Sequence, residues 1–204
     1  MSQHLSSQDL IHLEERYGAH NYHPMPVVLA KGEGPFMWDV EGKIYFDFLS
    51  AYSAVNQGHC HPKIVNALID QAKNLTLTSR AFYNDALGVY EKYITEFFGY
   101  DKVLPMNSGA EADETALKLC RKWAYKKKGI EDGKAKIIVC EGNFHGRTIT
   151  IVSMSTDPDS FAGYGPFTPG FEVIPYNNIP ALEKALEDPN VAGFLLEPVS
   201  YTHL

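Results

Sequence analysis

The sequence predicts an α/β protein, with a mostly parallel sheet covered by helices and preceded by a small antiparallel meander. Three observations carry this. Beyond Gly99, apolar runs of strand type alternate with stretches of helical period, which is the pattern of a layered sheet. Before Asn56, three short strand-like runs are separated by turn-forming residues. The composition, 45% hydrophobic and 21% charged over 204 residues, supplies enough apolar side chain for a core.

The elements follow in order. Ser6-Ser7-Gln8-Asp9 signals a capped helix through Leu10, Ile11 and Leu13 that stops at Gly18. His20-Asn21-Tyr22-His23-Pro24 reads as loop, because Pro24 and Pro26 disfavour helix. Val27-Val28-Leu29, Phe36-Met37-Trp38 and Lys43-Ile44-Tyr45-Phe46-Asp47-Phe48 form the meander, too small to stand alone. From Pro62 the period changes, and Ile64, Val65, Leu68, Ile69 and Ala72 mark one helix face. A second helix is expected over 85–98, then a strand over 102–106, a helix over 112–127 and a strand over 136–140. Strand 172–174, helix 180–187 and strand 191–196 complete the alternation. The expected division is an N-terminal segment, 1–55, and a partial α/β domain, 56–198. The last strand runs into Glu197-Pro198 with no closing helix, so the sequence reads as the front part of a larger protein.

Charge and cysteine usage narrow the function classes. Against 25 acidic residues stand 18 Lys and Arg, a net charge of −7, which argues against a nucleic-acid partner. Lys126-Lys127-Lys128 falls where a helix should end and suits the negative end of its dipole. No stretch is long and apolar enough for a membrane span, and the first residues lack the features of a signal or transit peptide. Three widely spaced cysteines, Cys60, Cys120 and Cys140, make no disulfide framework, so a reducing, cytoplasmic setting is expected.

Two segments carry possible chemistry. Asn107-Ser108-Gly109-Ala110-Glu111-Ala112 lies between an expected strand and a helix, where backbone N–H groups and the helix dipole suit a phosphate. By itself it also fits an ordinary capped helix start. Gly142-Asn143-Phe144-His145-Gly146-Arg147-Thr148 follows a strand; Phe144 could stack on a planar ring, and Arg147 offers a fork for a carboxylate. Core packing for Phe144, a surface ion pair for Arg147 and a structural role for His145 remain open on spacing alone. Gly58-His59-Cys60-His61 is not expected to bind metal, since adjacent side chains rarely converge on one ion and no second cluster completes the set. No nucleophile elbow or nucleotide loop of the GxxxxGK[ST] or GxGxxG type is present.

Taken together, these blocks resemble the class III pyridoxal-phosphate-dependent aminotransferases. The resemblance rests on Gly18-Ala19-His20-Asn21-Tyr22-His23-Pro24, Gly58-His59-Cys60-His61-Pro62, Ser108-Gly109-Ala110-Glu111-Ala112, Phe144-His145-Gly146-Arg147 and Ser155-Thr156-Asp157-Pro158. Ala51-Tyr52-Ser53-Ala54-Val55-Asn56 and Thr78-Ser79-Arg80-Ala81-Phe82 resemble the branch of that family that uses ornithine. The implied fold is that of the fold type I transferases, truncated within the large domain. The implied cofactor is pyridoxal 5'-phosphate, with Ser108, Gly109 and Ala110 on its phosphate, Phe144 on its ring, His145 beside it and Glu197 supporting the site. Some ornithine enzymes carry Trp at the His145 position. Tyr22 and Arg147 are implied at the substrate carboxylate and Tyr52 in the substrate pocket.

The implied reaction passes the δ-amine of ornithine to the cofactor and on to 2-oxoglutarate. The lysine that holds the cofactor as a Schiff base is implied to lie downstream of Leu204, so no catalytic residue is assigned here and the 204 residues alone are expected to be inactive. A homodimer or larger homo-oligomer is implied for the complete enzyme. The alternatives are another ω-amine substrate (acetylornithine or 4-aminobutyrate) and a non-catalytic interaction protein. Val199-Ser200-Tyr201-Thr202-His203-Leu204 departs from the family pattern and resembles a reading frame of a common sequencing adapter, so 199–204 is expected to be a non-native tail.

Overall fold

The computed structural model describes residues 5–197; the expected tail over 199–204 lies outside them. The chain divides into two compact units, Met1–Gly88 and Val89–Leu204. That division falls later than the expected boundary at 55/56. The reason is local: His59 and Gly34 exchange backbone hydrogen bonds of 2.8 and 2.9 Å, which ties the stretch after Asn56 back to the meander.

The first unit opens with α1 (Ser7–Tyr17), whose N-cap Ser6 and Asp9 form a reciprocal capping box. Ser7 anchors the helix to the following hairpin, donating from its N–H and Oγ to Glu41 at 2.9 and 2.6 Å. The meander is antiparallel, in the order β1 (Leu29–Glu33), β2 (Phe36–Asp39) and β3 (Ile44–Phe46). After it comes α2 (Ser50–Ser53), a single turn in which Ser50, Ala51, Tyr52 and Ser53 have φ of 49°, 48°, 56° and 71°. This is left-handed helix, which costs L residues roughly 1–2 kcal/mol each. α3 (Pro62–Asn74) starts on its expected proline. Among its described residues this unit buries no side chain fully, as expected of a meander too small for its own core.

α4 (Leu87–Phe98) follows, its first turn capped by the Asn84 carboxamide oxygen, which accepts from Ala86 and Leu87 N–H. The expected strand over 102–106 is not formed. A strand needs a ladder partner, none is present among the described residues, and Pro105 lacks the donor. α5 (Gly109–Trp123) runs on through a π-helical turn, Ala124–Lys128, that ends at Gly129 in the left-handed conformation. The three lysines thus occupy the helix end.

The second sheet is parallel, with β4 (Lys136–Cys140) at its centre, β5 (Phe171–Ile174) on one side and β6 (Val191–Phe194) on the other. Between β4 and β5 lie two short helices, α6 (Ile149–Val152) and α7 (Pro158–Phe161), that periodicity could not show in four residues each. α8 (Ile179–Leu186) connects β5 to β6. Successive side chains of β4 point to opposite faces, and both faces are buried. Ile137 and Val139 pack with Leu117, Ile151 and Met154, whereas Ile138 and Cys140 pack with Ile174, Ala185 and Val191. Burying each large aliphatic side chain contributes about 1.5–3 kcal/mol, so this strand is the anchor of the second unit.

Candidate functional site

The candidate residues of the second unit gather where the carboxyl end of β4 meets the N-terminus of α5. Ser108 is the N-cap of α5, with extended φ/ψ of −146° and 163°, and its Oγ accepts from Glu111 N–H at 3.2 Å. The Glu111 carboxylate reaches back to the Asn107 N–H at 2.8 Å. The cap is therefore closed on both sides, and the first helical amides, Gly109 and Ala110, have no intrahelical acceptor. They lie at the positive end of a 15-residue helix.

The loop after β4 is seated on this turn. Gly146 has φ of 122°, and a Cβ on it would sit 2.7 Å from the Ala110 Cβ, so the two backbones are in close contact. Thr148 Oγ1 donates to Glu114 at 2.6 Å, a second tie between loop and helix. Asn143 braces the other end, its amide donating to the carbonyls of Cys140 at 2.6 Å and Met154 at 2.9 Å. Phe144 stands half-exposed on the loop, 38% accessible, and Arg147 is exposed beyond it.

His145 turns inward and is buried. Its Nδ1 lies 3.2 Å from the Glu197 carboxylate, which follows β6, and 3.6 Å from that of Asp113 on α5. Burial is the main cause that raises the Asp113 carboxyl above its ordinary range; the attraction of His145 opposes it and the charge of Glu197 adds to it. The three ligand atoms lie within 4.8 Å of one another, a spacing a divalent cation could also bridge. His145 Nε2 is buried with no hydrogen-bond partner among the described residues. Cys140, Glu141, Gly142, Asn143, His145, Tyr176 and Glu197 line a crevice beside it, at the carboxyl ends of the strands.

A helix start suited to an anion, a half-exposed aromatic ring, a guanidinium and a buried imidazole nitrogen with no partner among the described residues thus lie on adjoining segments. This set fits a planar, phosphorylated ring compound: N–H donors for the phosphate, a ring face for stacking, a polar atom to satisfy. Ser108, Gly109, Ala110, Phe144, His145, Arg147 and Glu197 are all placed in this second unit. Asp113, clustered with His145 and Glu197, and Glu114, which holds Thr148, are additions that the sequence alone does not single out. Tyr22 and Tyr52 lie in the first unit, 60% and 59% exposed. Tyr22 is in the loop after α1 that lines a cavity with residues of that helix, and Tyr52 is in the left-handed turn α2.

Known proteins similar in sequence and architecture narrow the chemistry. The chain is 64% identical to ornithine aminotransferase, mitochondrial, of Rattus norvegicus over 194 residues, which is 95% of this chain and 44% of that protein. Ornithine aminotransferase of Plasmodium falciparum (isolate 3D7) is 61% identical, with 95% and 47% covered. The chain therefore spans somewhat less than half the length of the curated relatives it matches. A crystal structure of ornithine aminotransferase from Toxoplasma gondii, described as having partial occupancy of PLP at its active site, superposes with a TM-score of 0.93 at 52% identity over 95% of this chain and 45% of that one. Acetylornithine aminotransferase from Elizabethkingia anophelis superposes with a TM-score of 0.80 at 59% identity, with 95% and 45% covered. The family model for aminotransferase class-III matches residues 17–201, and the chain belongs to that family.

Proposed function

We propose that this class III aminotransferase chain supplies the phosphate-binding and substrate-recognition residues of an ornithine δ-aminotransferase. The reaction converts L-ornithine and 2-oxoglutarate into L-glutamate 5-semialdehyde and L-glutamate, a step that serves proline biosynthesis and arginine metabolism. The observation that carries the reading is the seating of the Phe144 loop on the Ser108 turn through the close Gly146–Ala110 contact.

Bound pyridoxal phosphate supplies an electron sink for the charge left when a proton leaves the carbon that bears the amine. The chain's own residues hold and orient. The Gly109 and Ala110 amides and the Ser108 hydroxyl take the phosphate, with the α5 dipole favouring its charge. Phe144 packs on the ring face, and Glu197 fixes His145 beside it. Arg147 binds a carboxylate of the substrate through two parallel hydrogen bonds, which leaves the far amine directed at the reacting centre. Tyr22 and Tyr52 are assigned to substrate binding. The proton-transferring lysine implied by the resemblance is not assigned among these residues, so the 204-residue chain is expected to turn over no ornithine. A homodimer and a cytoplasmic location complete the reading, the latter resting on the three dispersed cysteines, whereas several relatives are named mitochondrial.

The test is a chimera in which residues 17–197 replace the matching stretch of the rat relative. It should turn over ornithine in preference to N-acetylornithine and 4-aminobutyrate. Tyr52→Ile in that chimera should lower the ornithine preference by about tenfold, the size of effect expected for losing one polar pocket contact. The acetylornithine reading is the second, favoured by the Elizabethkingia anophelis structure. A preference for N-acetylornithine with Tyr52 intact would establish it and overturn the first.

A further inference from the structure

The left-handed turn that carries Tyr52 is held by a device within the first unit. Residues in this conformation persist only where their surroundings over-determine it. The Asp47 carboxylate, 6% exposed, accepts from the N–H groups of Leu49 at 3.0 Å and Ser50 at 2.8 Å, and its other oxygen meets His59 Nε2 at 2.6 Å. The Ser50 amide first, and His59 next, hold the Asp47 carboxyl below its ordinary range. His59 is itself fixed twice. Its backbone pairs with Gly34, and its ring lies against Gly32, where an added Cβ would be 2.7 Å from the His59 Cβ and Cγ. Gly58, at φ of 88°, brings the chain so close to Gly34 that a Cβ would sit 3.0 Å from its Cα. The meander therefore fixes His59, His59 fixes Asp47, and Asp47 caps the entry to α2.

We propose that Asp47 and His59 form a latch that locks Ser50–Ser53 in the left-handed turn and so sets the position of Tyr52, making both of them positioning residues for substrate recognition. The role in recognition rests on the proposed function, whereas the latch itself does not.

Two measurements separate them. In the 204-residue chain, hydrogen exchange over 48–54 should quicken at least about tenfold in Asp47→Ala, and less in Asp47→Asn, which keeps an acceptor for the two amides. Adding Ala51→Gly should restore much of the protection, because glycine adopts the left-handed conformation without the penalty. In the chimera, Asp47→Ala should raise the KM for ornithine about tenfold with kcat within about twofold, and Ala51→Gly should again restore it. Exchange that quickens equally throughout residues 5–88, or not at all, overturns the latch, as does a loss that glycine fails to repair. A fall in kcat at unchanged KM overturns the role in recognition. A chimera that ignores ornithine overturns the ornithine reading, and exchange in the chain then still decides the latch.

Discussion

Gly146→Ala should destabilise the chain by about 2–4 kcal/mol, through two additive causes. The first is conformational, because φ of 122° is one that only glycine adopts readily. The second is steric. The new methyl would sit 2.7 Å from the Ala110 Cβ and 3.5 Å from its Cα, neither of which can rotate aside. The backbone of the loop must lift off the first turn of α5, and overpacking of this kind costs about 1–3 kcal/mol. Gly142 is the control, since it also has positive φ, 70°, but a Cβ there meets nothing within 4 Å. Gly142→Ala should therefore lose only the conformational part, about 1 kcal/mol. Adding Ala110→Gly to Gly146→Ala should recover the steric part.

The same lift separates Phe144 from the Ser108 turn, so affinity for pyridoxal phosphate should fall much further in Gly146→Ala than in Gly142→Ala. Urea unfolding and titration of the chain with the cofactor read the two effects separately. Equal losses from both glycine variants would show that the close contact with Ala110 does not hold the site together.

The sequence made one half of this architecture legible and left the other hidden, for physical reasons. Parallel strands and their crossover helices carry dense apolar periods, so β4 is legible to its ends, and the capped start of α1 and the lysine-rich turn that ends the helix after α5 follow from local chemistry. Lys102-Val103-Leu104 looks no different from a strand until a partner is sought, which is a question no local pattern answers. The turn α2 is harder still, since Ser50-Ala51-Tyr52-Ser53 carries no glycine to announce positive φ. Asp47 and His59 impose it from twelve residues apart. Asp113 did leave a signal. It lies four residues before Leu117 and seven before Cys120, on the stripe of α5 that faces the core, and an acid on such a stripe needs a buried partner. That partner, His145, stands on a different segment, and only the fold joins them.

His145→Ala should lower stability by about 2–3 kcal/mol at neutral pH, and the loss should grow as pH rises above the raised Asp113 value. Breaking a fully buried pair costs about 3–5 kcal/mol. Here Asp113 is 20% exposed and Glu197 about half exposed, so water relieves part of it. The pH dependence follows from Asp113. Burial raises its carboxyl in the folded chain, so the folded state holds this proton more tightly than the unfolded state does. Its contribution to stability is thus fully present below the ordinary carboxylate value and is lost as pH rises through the raised one. His145 is the main group that opposes the shift. Without it the raised value climbs further, the window of loss extends upward, and the variant weakens across a wider pH range than the parent. Asp113→Asn in the His145→Ala background should flatten that slope, because the titrating group is gone. Urea midpoints between pH 4 and pH 8 give the comparison. A penalty for His145→Ala that stays constant over this range would mean that the imidazole merely fills space, and that the Asp113 carboxyl does not depend on it.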